Sequence, residues 1–117
     1  MTALIVTLAG SLGAVARYFV AGVVQKRTRS RMPVGTAAVN LIGAFALGVL
    51  AGVGQTPTGW LSAGAGFTAG FTTFSTWMVE TARLGLLPRP SMRSIANLVL
   101  VAAAGVLCAA LGYYLMR

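Results

Sequence analysis

The sequence predicts an all-α membrane protein of four transmembrane helices, and three observations carry that prediction. Of 117 residues, 57% are hydrophobic and only 9% are charged, where a soluble domain carries about a quarter charged residues. The apolar residues fall into four long runs separated by short polar or turn-rich gaps. Apart from Arg17, the basic residues sit in or beside those gaps. A surface this poor in charge faces lipid. Lipid offers no partner to backbone N–H and C=O groups, so runs of this length are helices.

The first run covers about 2–24, long enough at ~1.5 Å per residue to cross a ~30 Å hydrocarbon core. It begins at Met1 with no basic residue ahead of it and contains Arg17, so it reads as a retained span and not as a cleaved signal peptide. The polar stretch from Gln25 to Arg31 ends it. The second run covers about 33–53, with Pro33 in the first turn, where its missing N–H does no harm. The turn-rich, uncharged gap from Gly54 to Gly59 follows. The third covers about 60–86 and is stopped by Leu87-Pro88-Arg89-Pro90. The fourth covers about 92–116, and residues 1–117 form one domain. Gly48/Gly52 and Gly66/Gly70 are small residues four apart that let helix backbones approach closely. Packing within the chain is the simplest use of each pair.

Composition also excludes function classes. The net charge of +8 does not form a basic stripe interleaved with aromatics, so nucleic acid is not the expected partner. Cys108 is alone, there is no histidine, and no phosphate-binding loop follows a strand; an enzyme is not expected. Lys26, Arg27, Arg29 and Arg31 lie in the first loop, and Arg83, Arg89 and Arg93 flank the third. Against these seven, the other side carries only Arg117. The excess of basic residues in cytoplasmic loops then puts loops 25–32 and 87–91 in the cytoplasm and both termini outside.

Polar groups inside spans point to function, because a central charge costs on the order of 2.5–3.5 kcal/mol. These are Arg17, Asn40, Asn97 and Glu80, the only acid. Either asparagine could be an interhelical hydrogen bond that fixes packing. Arg17 is close enough to its helix end to snorkel. Glu80 reads as the partner of a basic residue. The run from Gly66 to Trp77 differs in kind, with five hydroxyls and two glycines in mid-span. It predicts a break in the third helix, where freed backbone groups line a cavity or bind an ion. Phe74 and Trp77, three apart, share a helix face. The bland alternative is a kinked span with ordinary aromatic packing.

Three segments together resemble the small fluoride channels of the Fluc (CrcB) family: G-A-V-A-R-Y at Gly13 to Tyr18, G-T-A-A-V-N-L-I-G-A-F at Gly35 to Phe45, and G-F-T-A-G-F-T-T-F-S-T-W at Gly66 to Trp77. Glu80 and Asn97 also fall at matching positions, and the likeness covers nearly the whole chain. The resemblance implies a multi-pass protein of the bacterial inner membrane that lets fluoride leave the cell passively. It implies an antiparallel dimer with two pores along the subunit interface and a structural sodium ion at the dimer centre. By position, the sodium ligands are the backbone carbonyls of Ala69 and Thr72, although the family usually has glycine where Ala69 stands. Oxygen-only ligation suits such a hard cation. Asn40 matches the pore-lining asparagine and Phe74 the first of two pore phenylalanines. Trp77 replaces the second, which either keeps an aromatic edge in an altered bore or degrades this subunit's share of the pore. Ser75 and Thr76 add neutral donors to the fluoride path, and Arg17, Gly70, Thr73, Glu80 and Asn97 take supporting positions.

Loop charge bears on the dimer. A homodimer with opposed subunits needs one sequence to insert both ways, and seven basic residues against one oppose that. The expected partner is an oppositely oriented paralogue, with the homodimer as alternative. The competing function is a small proton-coupled multidrug transporter. That chemistry needs a membrane-embedded carboxylate, normally in the first helix, and the first helix here has none. A third reading is an accessory subunit that only packs against a conducting partner.

Overall fold

A computed structural model describes residues 1–29, 34–54, 59–72, 75–83 and 91–117. Among them there are helices and no strand: α1 (Thr2–Thr28), α2 (Val34–Val53), α3 (Gly59–Phe71), α4 (Ser75–Arg83) and α5 (Met92–Leu115). α1, α2 and α5 are long and apolar enough to cross a membrane. α3, with 13 residues, and α4, with 9, reach only about 20 Å and about 14 Å at ~1.5 Å per residue, each short of a ~30 Å core.

The helix ends differ from the expected ones for local reasons. α1 continues four residues past position 24, through Gln25, Lys26, Arg27 and Thr28. Gln, Lys and Arg are good helix formers, and cations complement the negative end of a helix. Arg29 closes it in the left-handed conformation, φ 48°, with its N–H donating to the Gln25 carbonyl at 3.2 Å. The Gln25 side chain accepts from the Gly35 N–H at 2.9 Å. It thus satisfies one of the donors that the start of α2 leaves open. Pro33, the expected start of that span, lies outside the described residues. α5 opens on Ser91, whose hydroxyl accepts from the Ser94 N–H at 3.2 Å, and ends at Leu115 with Met116 as its cap. In the third run, α3 stops at Phe71 and α4 starts at Ser75, while residues 73–74 and 84–90 lie outside the described part.

Glycine sets how the helices meet. A Cβ on Gly70 would strike the Gly10 carbonyl, one on Gly66 the backbone of Val6, and one on Gly13 the carbonyl of Phe67. Numbers rise together along this seam, so α1 and α3 run parallel with backbones in contact. The same holds for α2 and α5, where Gly48 faces the Ala109 carbonyl, Gly52 that of Tyr113, and Gly112 that of Phe45. Between α2 and α3 the order reverses, with Gly64 against Leu50 and Gly43 against Thr72. Both glycine pairs singled out in the sequence therefore serve packing within the chain. Among the described residues, these two parallel pairings, α1 with α3 and α2 with α5, are the most extensive.

The burial pattern is that of a protein dissolved in lipid. Among the described residues, the only buried large apolar side chains are Val39 and Phe71, while Thr36, Thr68, Thr81, Ser94 and Asn97 are all buried. Leu8, Leu12, Leu100, Val106 and Leu107 point outward, which in water would make an aggregating surface. The cations gather at one end. Lys26, Arg27 and Arg29 close α1, Arg83 closes α4 and Arg93 opens α5, all exposed. Met1 and Arg117 lie at the other end, where the Arg117 guanidinium sits 5.2 Å from the Tyr113 ring centre.

Candidate ion-binding groove

Where α3 ends, α2, α4 and α5 leave a groove of about 270 Å³, lined by Asn40, Ala44, Leu47, Thr72, Trp77, Val101 and Ala102. Each element contributes for a local reason. α2 presents Asn40 and Ala44, four apart and so on one face. Gly43 beside them lets the Thr72 methyl lie directly against the α2 backbone. α4 supplies Trp77 in its first turn. α5 closes the wall with the small and branched side chains of Ala102 and Val101.

The groove is apolar apart from a few aimed polar groups, the composition expected of a ligand site. The Asn40 carboxamide can donate two hydrogen bonds. Trp77 brings a ring whose edge is weakly positive. Thr72 turns its hydroxyl back to the Ala69 carbonyl at 3.3 Å, while its N–H donates to the Thr68 carbonyl at 3.0 Å. The carbonyls of Ala69 and Thr72 belong to the last turn of α3 and to the residue after it, where a helix leaves acceptors without intrahelical donors. Ala69 is exposed on the surface of the chain. The donor set therefore fits a hard cation, at the negative end of a helix dipole.

The sequence-selected residues divide into three groups. Asn40, Thr72 and Trp77 come together in the groove. Thr73 and Phe74 lie outside the described residues, and Ser75, Thr76 and Glu80 are placed only as backbone positions of α4. The rest stand elsewhere. Arg17 is half-buried on α1 and is not in the groove wall. Gly70 is held against Gly10.

Asn97 is 3% exposed and donates from Nδ2 to the Thr81 hydroxyl at 2.7 Å. This is the interhelical packing bond that the residue type allowed. Thr81 itself is fully buried and escaped the sequence reading. A threonine in a helix ordinarily bonds the carbonyl four residues back, as Thr81 does to Trp77 at 2.8 Å, so its residue type carried no signal.

A second, larger groove of about 590 Å³ lies between α1, α2 and α3. Its walls are apolar apart from Thr68, whose hydroxyl donates to the Gly64 carbonyl at 2.8 Å. It offers an ion nothing to replace water.

Comparison with known proteins identifies a family for the chain. Residues 4–113 match the family described as CrcB-like protein, Camphor Resistance (CrcB). The chain is 42% identical over 112 residues to the "Fluoride-specific ion channel FluC 2" of Mycobacterium tuberculosis (strain ATCC 25618 / H37Rv), covering 96% of this chain and 88% of the relative. It is 41% identical over 118 residues to the "Fluoride-specific ion channel FluC 1" of Geobacillus kaustophilus (strain HTA426), covering 97% of each. A "Fluoride-specific ion channel FluC 2" of Haloarcula marismortui (strain ATCC 43049 / DSM 3752 / JCM 8966 / VKM B-1809) is 41% identical over 92 residues, covering 76% of this chain and 75% of the relative. With the family match over residues 4–113 and this similarity along almost its full length, the chain belongs to the CrcB family.

Proposed function

We propose that this chain is a subunit of a fluoride-selective channel that lets fluoride leave the cell passively. The observation that carries the proposal is the groove, which joins Asn40 and Trp77 beside the end of α3. Fluoride is small and tightly hydrated, so a pore must offer donors in place of water and still release the ion. Asn40 supplies the donor and the aromatic edge of Trp77 the weaker contact, with Phe74, Ser75 and Thr76 continuing the path. α3 and α4 together make the third crossing, interrupted between Phe71 and Ser75, and the four crossings pair with a second, inverted subunit. The carbonyls of Ala69 and Thr72 from both subunits hold a structural sodium ion, whose charge raises the local potential for anions. The end bearing Lys26, Arg27, Arg29, Arg83 and Arg93 faces the cytoplasm, in the inner membrane of a bacterial cell, with both termini outside. So one-sided a charge distribution favours an oppositely oriented paralogue as partner over a second copy of this chain.

The relatives are named as fluoride channels and the first helix holds no carboxylate, so a proton-coupled multidrug transporter is not favoured. The test is ion efflux from liposomes carrying this chain with and without an inverted paralogue, with chloride as control. Fluoride flux without chloride flux, in the mixed vesicles only, is the expected outcome. Robust flux from the chain alone overturns the paralogue, and absence of fluoride flux from both overturns the channel.

A further inference from the structure

The bonds around Trp77 close into a bracket between α4 and α5. Its indole N–H donates to the Asn97 backbone carbonyl at 3.3 Å. Asn97 Nδ2 donates to Thr81 Oγ1 at 2.7 Å, and the Thr81 hydroxyl donates to the carbonyl of Trp77 at 2.8 Å. A hydroxyl has one proton and two lone pairs, so these directions are mutually consistent. Thr81 is 0% exposed and Asn97 is 3% exposed, so the bond between their side chains does not compete with solvent. Trp77 lines the groove, whereas Thr81 and Asn97 do not.

An indole has a single N–H, and here it is engaged on α5. Carbon is what remains to border the groove. We propose that Thr81 and Asn97 are positioning residues for Trp77, holding its N–H away from the groove so that ring carbons and not a strong donor face the ion path. The identity of that ion as fluoride rests on the function proposed above. The physical reason is release. A hydrogen bond to an anion is charge-assisted and strong, and an indole N–H added to the Asn40 donors would hold the ion too tightly. The weakly positive ring edge lets it go.

The sequence contains two tryptophans, so Trp60→Phe leaves Trp77 as the sole indole. The full-length chain, with its paralogue where conduction requires it, is labelled with indole 15N and placed in lipid nanodiscs. The expected indole N–H resonance exchanges slowly with deuterium and does not move as fluoride is added. Thr81→Val is expected to speed exchange, make the resonance respond to fluoride, and make flux saturate at lower fluoride with a several-fold lower maximum. Thr81→Ser restores the original behaviour in both measurements. A freely exchanging or fluoride-sensitive resonance in the Trp60→Phe chain overturns the proposal, and that measurement decides even if Thr81→Val does not fold. A Thr81→Val chain indistinguishable from its parent overturns it equally. A protected resonance loosened by Thr81→Val, in vesicles that pass no fluoride, supports the bracket and removes the fluoride reading alone.

Discussion

Along α1 and α3 the helix backbones touch, with Gly70 against Gly10 and Gly13 against Phe67. Where α4 meets α5 the contact is made instead by side chains, through Trp77, Thr81 and Asn97. The first seam has no polar side-chain bond among the described residues and relies on closeness, with dispersion and weak Cα–H···O contacts summed over many atoms. The second has two directed bonds across it, with a third inside α4 that ties Thr81 to Trp77. Closeness fixes a scaffold. Directed bonds fix the orientation of one ring beside a groove. The difference places rigidity in the parallel helix pairs and tunability beside the groove.

The largest expected effect breaks the first seam. Gly70→Val puts branched carbon into the Gly10 carbonyl, and overpacking of this kind costs about 1–3 kcal/mol, with more where backbone must move. Loss of monodisperse protein on size exclusion in detergent, or a much lower unfolding temperature, is the readout. Gly22→Ala and Gly105→Ala are the controls, because a Cβ at either meets nothing within 4 Å. They should be neutral or stabilise by up to ~1 kcal/mol. Equal tolerance at Gly70 and Gly22 would dissolve the distinction between the regions.

A smaller effect tests the second region. Asn97→Leu removes the bond to Thr81 but leaves the Thr81 hydroxyl its acceptor at Trp77. Interhelical hydrogen bonds in membranes are worth about 0.6 kcal/mol and at most about 1.7 kcal/mol. Denaturant titration in mixed micelles should find a loss in that range. A loss as large as that of Gly70→Val would mean that α4 and α5 are held as tightly as the glycine seams.

How much of this was legible in the sequence follows the same division. Lipid-facing helices announce themselves by apolar length, so the three long helices were readable. The pairs Gly48/Gly52 and Gly66/Gly70 were readable as close-packing sites, but their partners, Ala109 and Tyr113 for one and Val6 and Gly10 for the other, depend on which helices run parallel. Asn40, Thr72 and Trp77 were selected by residue type and motif, and the fold brings them to one groove. Gln25 was read as loop, yet it is helical and bonded to Gly35. A polar residue at a membrane edge looks the same whether it ends one helix or anchors the next.

The smallest effect lies at the end of α1. Arg29 holds a left-handed conformation that costs an L-residue roughly 1–2 kcal/mol, and glycine adopts it freely. Glycine's extra freedom in the unfolded chain offsets about 0.5–1 kcal/mol of that gain. Arg29→Gly should therefore raise the unfolding temperature only slightly. A clear fall would show that the Arg29 side chain, and not its backbone, matters there.

The measurement that bears most directly on the proposed ion path is fluoride efflux through the conducting assembly carrying Asn40→Leu, with the integrity of that assembly checked on the same sample. Leucine keeps the volume in the groove and removes both donors. The groove account predicts that fluoride flux collapses while the assembly stays intact. Unchanged flux through an intact Asn40→Leu assembly would contradict it.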